Sequence, residues 1–480
     1  MKRIILLCDG TWQNSLTQDH RNPSNVSRLA RAIKPVSARG ISQIVYYHPG
    51  VGSYGGPLSW FLGGSFGEGI VKQIEDVYSF LSYNYLPGDE IFFFGFSRGS
   101  YMVRALCSFV LDFGLLRKPG MSEFVPVFKA FMKKDFAKNA ALQELQSTLA
   151  TNGVLILPED ENGEKINVKV IGCFDTVGSL GVPRIFPWQT DFYAFLDMKL
   201  NPNVQNAFHA LALDELRSVF QPTLWFFDPK GDNFQNYKQV WFTGAHLNAG
   251  GGLMSGVVPF SNLLPPPWNS EEPNVLCDGT LIWMIGQCWQ MLDFDEKYLH
   301  VDVRAAHTRR DGELIYRGTA SLPAEREEPV WYRGPIDNVF AGIGIFFLLL
   351  GIWPRTVCGY EPWEKDFDWF LVRWLRWLEH VLFGRKHSSD LVTKETVHMS
   401  VYNRNQITGS QSWALRNVIL DSPIAQADAD IDISREKMSR RHQEVVAVGP
   451  QKKKHVPIEN YSAYELSFWR DEKQNIYDRA

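Results

Sequence analysis

The chain lacks several features that would name a function quickly. It has no excess of basic charge: 49 Lys and Arg face 53 Asp and Glu, a formal net charge of −4, so no overall positive field exists to hold a nucleic acid by its phosphates. Its 6 cysteines, Cys8, Cys107, Cys173, Cys277, Cys288 and Cys358, stand singly. They show neither the paired spacing of a zinc site nor the density of a disulfide scaffold, and they read as reduced thiols of a cytoplasmic protein. Neither His-Glu-x-x-His nor Cys-x-x-Cys occurs, so a zinc hydrolase is not expected, nor is any other metal or cofactor. The Gly-rich stretch Gly63–Gly69 fits neither the dinucleotide spacing nor the phosphate-loop pattern with its lysine, which leaves nucleotide binding without support. Behind Lys2-Arg3 only Ile4 to Cys8 is apolar. The h-region of a secretory leader is missing, and the expected location is the cytoplasm, with peripheral contact to an intracellular membrane.

What the chain does have is apolar bulk. Over 480 residues, 45% are hydrophobic and 21% charged, enough for a sizeable core and for two to four domains. Arg3–Cys8, Gln43–Tyr47, Glu90–Phe94, Val168–Cys173, Thr223–Phe227 and Gln239–Phe242 are short apolar runs bounded by Gly, Pro and Asp, and they read as buried strands. Gly69–Leu86 and Arg98–Leu116 carry helical periodicity. That alternation predicts an α/β fold with a doubly wound, mostly parallel sheet. The Lys- and Ala-rich segment from Lys118 to Glu164 reads as a helical cap inserted between strands. Past the proline-rich stretch Pro259–Pro273, sheet-like content fades.

Aromatic residues make up 14% of the chain, with 16 Trp, and they cluster. Val339–Trp353 is an unbroken apolar run. As a helix it would extend about 22 Å, short of a hydrocarbon core of about 30 Å. Trp363–Phe383 then sets Trp369, Trp374 and Trp377 among Lys, Arg, Asp and Glu, the pattern of an amphipathic helix lying in a membrane interface. Phe347, Leu349, Trp353, Trp369, Trp374 and Trp377 are the candidate membrane contacts; the competing reading is a helical hairpin buried in the core.

Gly-x-Ser-x-Gly occurs twice, around Ser65 and around Ser97, and the pattern alone is weak. Context separates the two. Ser97 follows the apolar strand ending at Phe94 and precedes a helix, the setting of a nucleophile elbow, with Gly95 and Gly99 small enough to let strand and helix approach. Ser65 has no strand before it and reads as loop. A serine needs a base, and the base a carboxylate. Asp175 and His246 each follow an apolar run, at the strand ends where doubly wound sheets gather ligands. Asp214 is the runner-up acid, placed with His209 on a helical stretch, while His209, His380 and His398 read as structural or surface histidines. Oxyanion donors are expected at the amide of Arg98 and at Gly10 or Thr11, with Asp9 in an orienting role.

Cys8-Asp-Gly-Thr-Trp-Gln-Asn14, Gly95-Phe-Ser-Arg-Gly99, Phe174-Asp-Thr-Val-Gly178, Ala210-Leu-Ala-Leu-Asp-Glu215 and Val240-Trp-Phe-Thr-Gly-Ala-His246, followed by Gly250-Gly-Gly252, resemble in order the blocks of an uncharacterised α/β-hydrolase domain family. That family includes the catalytic domain of type VI secretion phospholipase effectors. Pro23-Ser-Asn-Val26 and Pro49-Gly-Val-Gly52 look most like its fungal members, and the resemblance reaches to about residue 300. It implies a triad of Ser97, Asp175 and His246 and an esterase or phospholipase activity. One block departs: where the family usually has His-Ser-Asp, this chain has His246-Leu-Asn248.

The expectation is therefore an α/β-hydrolase-like serine esterase acting on lipid or phospholipid acyl esters at a membrane surface. Its core spans 1–117 and 166–330, with the cap at 118–165, an apolar and aromatic module at 331–385 and a polar region at 386–480. Two alternatives stay open: a catalytically silent membrane-associated interaction protein that keeps the fold, and a hydrolase of soluble acyl substrates.

Overall fold

The computed structural model describes residues 1–10, 13, 23–50, 66–133, 136, 139–159, 163, 165–177, 200–217, 220–226, 236–252, 276–300, 336, 355, 395–408, 412–415, 418–420, 454–465 and 467–468. The candidate membrane contacts Phe347, Leu349, Trp353, Trp369, Trp374 and Trp377 lie outside them, as do Thr11, Ser65 and His380. No helix among the described residues is long and apolar enough to cross a membrane.

In chain order the strands are β1 (Arg3–Cys8), β2 (Gln43–His48), β3 (Glu90–Phe96), β4 (Leu115–Leu116), β5 (Leu155–Ile156), β6 (Asn167–Phe174), β7 (Asn206–Ala212), β8 (Asn236–Phe242), β9 (Glu395–His398), β10 (Val418–Leu420), β11 (Lys454–Val456) and β12 (Ile458–Glu459). The helices are α1 (Asn25–Ala32), α2 (Phe66–Asn84), α3 (Arg98–Asp112), α4 (Phe124–Lys133), α5 (Ala140–Thr151), α6 (His246–Gly250), α7 (Leu276–Cys288) and α8 (Met399–Thr408). Among the described residues the main sheet has eight strands in the order β2-β1-β3-β6-β7-β8-β9-β12, every neighbouring pair parallel. The chain winds one way from β1 to β2 and the other way from β3 onward. A crevice therefore opens at the carboxyl ends of β1 and β3, the place where such sheets receive ligands.

The strands are continuously apolar because both faces are covered. Ile4, Leu6, Ile91 and Phe93 point into the core shared with α2 and α3, while Ile5, Leu7, Phe92 and Phe94 point into the core shared with α1 and α7. Each buried phenylalanine contributes about 1.5–3 kcal/mol relative to exposure. The predicted insertion is helical, with a 3₁₀ turn at Lys118–Glu123 ahead of α4 and α5. It joins the first of these cores: Phe109 meets Phe124 and Phe128 edge-on at 5.8 and 5.3 Å, and β4 pairs antiparallel with β5.

Three elements differ from expectation. The Ala-Leu-Ala stretch holding His209 is strand β7, not helix, because its slot between β6 and β8 is buried on both faces and tertiary packing outweighs the helix preference of alanine and leucine. Of the expected strand Thr223–Phe227, Phe227 lies outside the described residues and Thr223–Phe226 forms no regular strand; Thr223 instead donates its amide to the Thr176 carbonyl. The third concerns the region beyond residue 386, expected to be polar and outside the sheet. It supplies β9 and β12 to the sheet and buries Val397, Val401, Leu415 and Val456 in a third apolar cluster.

Candidate active site

The carboxyl end of β3 turns directly into α3, and Ser97 is the residue at the bend, with φ 56° and ψ −121°. Among the described residues, Ser97 and Asp175 (φ 42°) are the non-glycine residues with positive φ, a conformation that costs about 1–3 kcal/mol each and must be held by its surroundings. The grip on Ser97 is close. A Cβ at Gly95 would lie 2.5 Å from the Ser100 backbone, and one at Gly99 would lie 2.1 Å from the Cys8 carbonyl oxygen. Helix α3 can therefore press onto the ends of β3 and β1 only because both positions are glycine. The Ser97 amide donates to the Phe174 carbonyl at 2.9 Å. Arg98 is the first residue of α3, so its amide belongs to the positive end of the helix dipole. Burial brings the Arg98 guanidinium down to about 10.

His246 opens α6 just beyond β8. Its Nε2 lies 2.9 Å from Ser97 Oγ, and its Nδ1 lies 2.5 Å from Asp175 Oδ2. Asp175 follows β6, and its Oδ1 accepts the Ala212 amide at 2.9 Å. Burial alone would raise the Asp175 carboxyl. The Arg355 guanidinium and the hydrogen bond from His246 outweigh it and hold the group well below the usual carboxylate range. An ionised Asp175 can only accept, so Nδ1 carries the ring proton and Nε2 presents its lone pair to the serine hydroxyl. Burial pulls His246 below the ordinary imidazole value, with Asp175 acting in opposition. The ring is therefore neutral at pH 7. It packs between Phe96 (centroids 4.7 Å apart) and Phe220 (4.9 Å, edge-on). Gly250 is obligatory for this packing, since a Cβ there would lie 1.9 Å from the Phe96 ring. Ser97 retains 6% of its surface, so the charges around it act in a nearly dry site where each interaction is strengthened.

Residues 2–287, more than half of the chain, match the model of the family described as T6SS phospholipase effector Tle1-like, catalytic domain. The chain belongs to this Tle1-like phospholipase family. An uncharacterized protein of Saccharomyces cerevisiae (strain ATCC 204508 / S288c), YEL023C, is similar to it, 29% identical over 236 residues that make up 46% of this chain and 32% of that protein. The matched region thus spans about a third of the yeast protein's length. Two solved structures were also matched. One, the Tle1 effector bound to the VgrG spike of the type 6 secretion system, shares 19% identity over 52% of this chain and 50% of its own, with a TM-score of 0.30. The other, an uncharacterized protein from Pseudomonas aeruginosa, shares 15% identity over 99% of this chain and 62% of its own, with a TM-score of 0.36.

Within the Tle1-like segment, the remaining sequence candidates take other places. Asp9 is buried; its Oδ2 accepts from Ser24 Oγ at 2.5 Å and from the Tyr47 hydroxyl at 2.7 Å. Burial raises it to about 6, while the bonds from Ser24, Tyr47 and Gly10 act to lower it. It thereby ties the β1 loop to Ser24, which caps α1 through the Ser27 amide. The Asp9 carboxylate turns back on the following amide, and Gly10 N donates to Asp9 Oδ1 at 2.7 Å. His209 accepts the Thr176 amide on Nε2 at 3.1 Å and thus steadies the residue next to Asp175. Asp214 does not face His246: its Oδ2 accepts the Gly244 amide at 2.8 Å. Asn248, where the family resemblance departs, accepts the Ala245 amide at 2.9 Å and so caps α6.

Several groups at the site were not singled out from the sequence. Phe96 and Phe220 clamp the imidazole. Glu215 accepts the His246 amide on Oε2 at 3.2 Å and is paired in a fork with Arg217. Its one sequence signal is its place at the end of the Ala210–Glu215 block. Arg355, beyond the Tle1-like segment, binds both oxygens of Asp175, and no local pattern marked it.

Proposed function

We propose that this Tle1-like chain is a serine carboxylic-ester hydrolase of the α/β-hydrolase type that cleaves lipid acyl esters, phospholipids included, at a membrane surface. The observation that carries the reading is the continuous hydrogen-bonded line Ser97–His246–Asp175, its serine strained at a strand-to-helix bend. Membership of a phospholipase family supports the substrate class. The aromatic sequence at 339–383 supports a membrane surface as its location.

In the first half-reaction, Ser97 Oγ forms a bond to the ester carbonyl carbon as its proton passes to His246 Nε2. The carbonyl electron pair moves to oxygen, where the Arg98 amide at the amino end of α3 stabilises it. Collapse breaks the bond to the alcohol, which leaves with the proton from His246, and the acyl group stays on Ser97. Water then gives its proton to His246 and attacks the acyl carbon. Breakdown of that second intermediate releases the carboxylic acid and restores the serine hydroxyl. Asp175 holds the ring in the tautomer that both halves require and stabilises its charged form.

The test is fluorophosphonate labelling of the full chain together with fatty-acid release from phosphatidylcholine vesicles. Both are expected from the wild type and neither from Ser97→Ala. Labelling that persists in Ser97→Ala would refute the assignment.

A further inference from the structure

We propose that Arg355 is a positioning residue of this site, so that a side chain from outside the Tle1-like residues completes the catalytic apparatus. The inference rests on the hydrolase reading above and adds to it a fourth side chain. Arg355 has 0% of its surface exposed. Its Nη1 donates to Asp175 Oδ1 at 2.5 Å and to the Ala212 carbonyl at 2.7 Å. Its Nη2 donates to Asp175 Oδ2 at 2.9 Å and to the Phe220 carbonyl at 2.5 Å. Each of these four contacts thus ends on a part that builds the site. One target is the carboxylate that holds His246. The others are the end of β7, which itself donates to that carboxylate, and the residue whose ring covers the imidazole.

A planar guanidinium gripping both oxygens fixes the plane of a carboxylate as a single hydrogen bond cannot. Asp175 Oδ2 is therefore aimed at His246 Nδ1 while being shared with Arg355. A carboxylate this deep would take up a proton if it had no cationic partner, and a protonated Asp175 would no longer fix the tautomer that leaves Nε2 open to Ser97. Arg355 also sets the charge count around the imidazole. Against it stand Asp175 and Glu215, both acidic, and Arg217, basic, while Arg355 acts on it through Asp175; Arg98 lies next to Ser97, and His209, which holds the Thr176 amide, feels Arg104 and Arg355. With Arg355 present, Asp175 and Glu215 are each matched by an arginine, and the imidazole stays neutral between turnovers. Without it the site loses one positive charge beside Asp175, and His246 would bind a proton more readily.

The test uses the full chain and two variants, Arg355→Met and Arg355→Lys, with kcat and KM measured on a short soluble acyl ester across pH. The His246 ring is followed in parallel by NMR of ¹⁵N-histidine-labelled protein, its signal assigned with His246→Gln. For Arg355→Met, kcat should fall about 10–100-fold with KM little changed. The acidic limb of the rate profile and the His246 titration should both move to higher pH, by on the order of one unit. Arg355→Lys restores the charge without the fork, so the titration should return to its wild-type position while kcat stays several-fold low. The inference is overturned if folded Arg355→Met keeps the wild-type kcat and titration, or if it loses activity only in proportion to unfolded protein with the His246 titration unmoved. Should Arg355→Met fail to fold, a wild-type kcat in Arg355→Lys overturns it. If the wild type has no Ser97-dependent turnover, it is the hydrolase reading that falls. The His246 titration then decides for or against Arg355 by itself.

Discussion

Among the described residues two buried clusters bring serine, histidine and carboxylate together, and they are built differently. His246 reaches Ser97 at 2.9 Å and Asp175 at 2.5 Å. At the end of β9, next to β8, His398 reaches Ser400 Oγ at 2.9 Å through Nδ1 and Glu465 Oε1 at 3.2 Å through Nε2. By distance alone the two could be confused. Ser400, however, sits two residues from its histidine, gives its own amide to the same ring nitrogen at 3.2 Å, and has no exposed surface. The His398 ring stacks on Phe242, and Glu465 ties the carboxyl-terminal residues to β9. This second cluster is a staple. Ser97 instead stands on a bend with left-handed backbone at the end of a central strand, and its partners arrive from two other strand ends. Presentation, not composition, separates the two.

The largest expected difference is between the serines. Ser97→Ala should lose labelling and at least about a thousandfold of ester turnover, whereas Ser400→Ala should label like the wild type. A labelling defect in Ser400→Ala would erase the distinction. The acids come next. Asp175→Asn should cost on the order of 10³–10⁴ in kcat through the wrong tautomer, while Glu465→Gln should leave kcat within about twofold, at some cost in melting temperature. Smaller again is Gly250→Ala, whose new methyl meets Phe96. It should destabilise by about 1–3 kcal/mol in chemical denaturation and slow turnover by shifting His246, an effect with no counterpart at His398. Subtlest is the pH profile. Because burial lowers His246, its neutral, proton-accepting form persists below the ordinary imidazole value, and the acidic midpoint of kcat/KM should fall under about 6.5. A midpoint above that value would mean that the ring is held as the cation.

Much of the proposed site could be read in the sequence because each of its residues follows a local signature. Ser97, Asp175 and His246 each come after an apolar run, and the run predicts the strand end. The structure brings the three within hydrogen-bonding distance. Where sequence reasoning failed, the deciding physics was not local. In β7, alanine and leucine favour helix, and burial between two strands overrides them. β9 and β12 have four and two residues, too few to show a period. Glu215 reaches the His246 amide across 31 residues of chain, which its local pairing with Arg217 does not reveal. Arg355 makes contacts 135 to 180 residues away, which no window along the chain could connect.

The closing of the sheet by β9 and β12 bears on where this protein can be cut. A fragment ending at residue 287, the homology boundary, would leave the backbone of β8 unpaired along one side, an invitation to stick to other copies of itself. It would also part Asp175 from its arginine. The segment that matches the family model thus stops short of the strands that cover the edge of β8 and of the arginine that grips Asp175, and a fragment meant to keep either would have to carry the distant tail along.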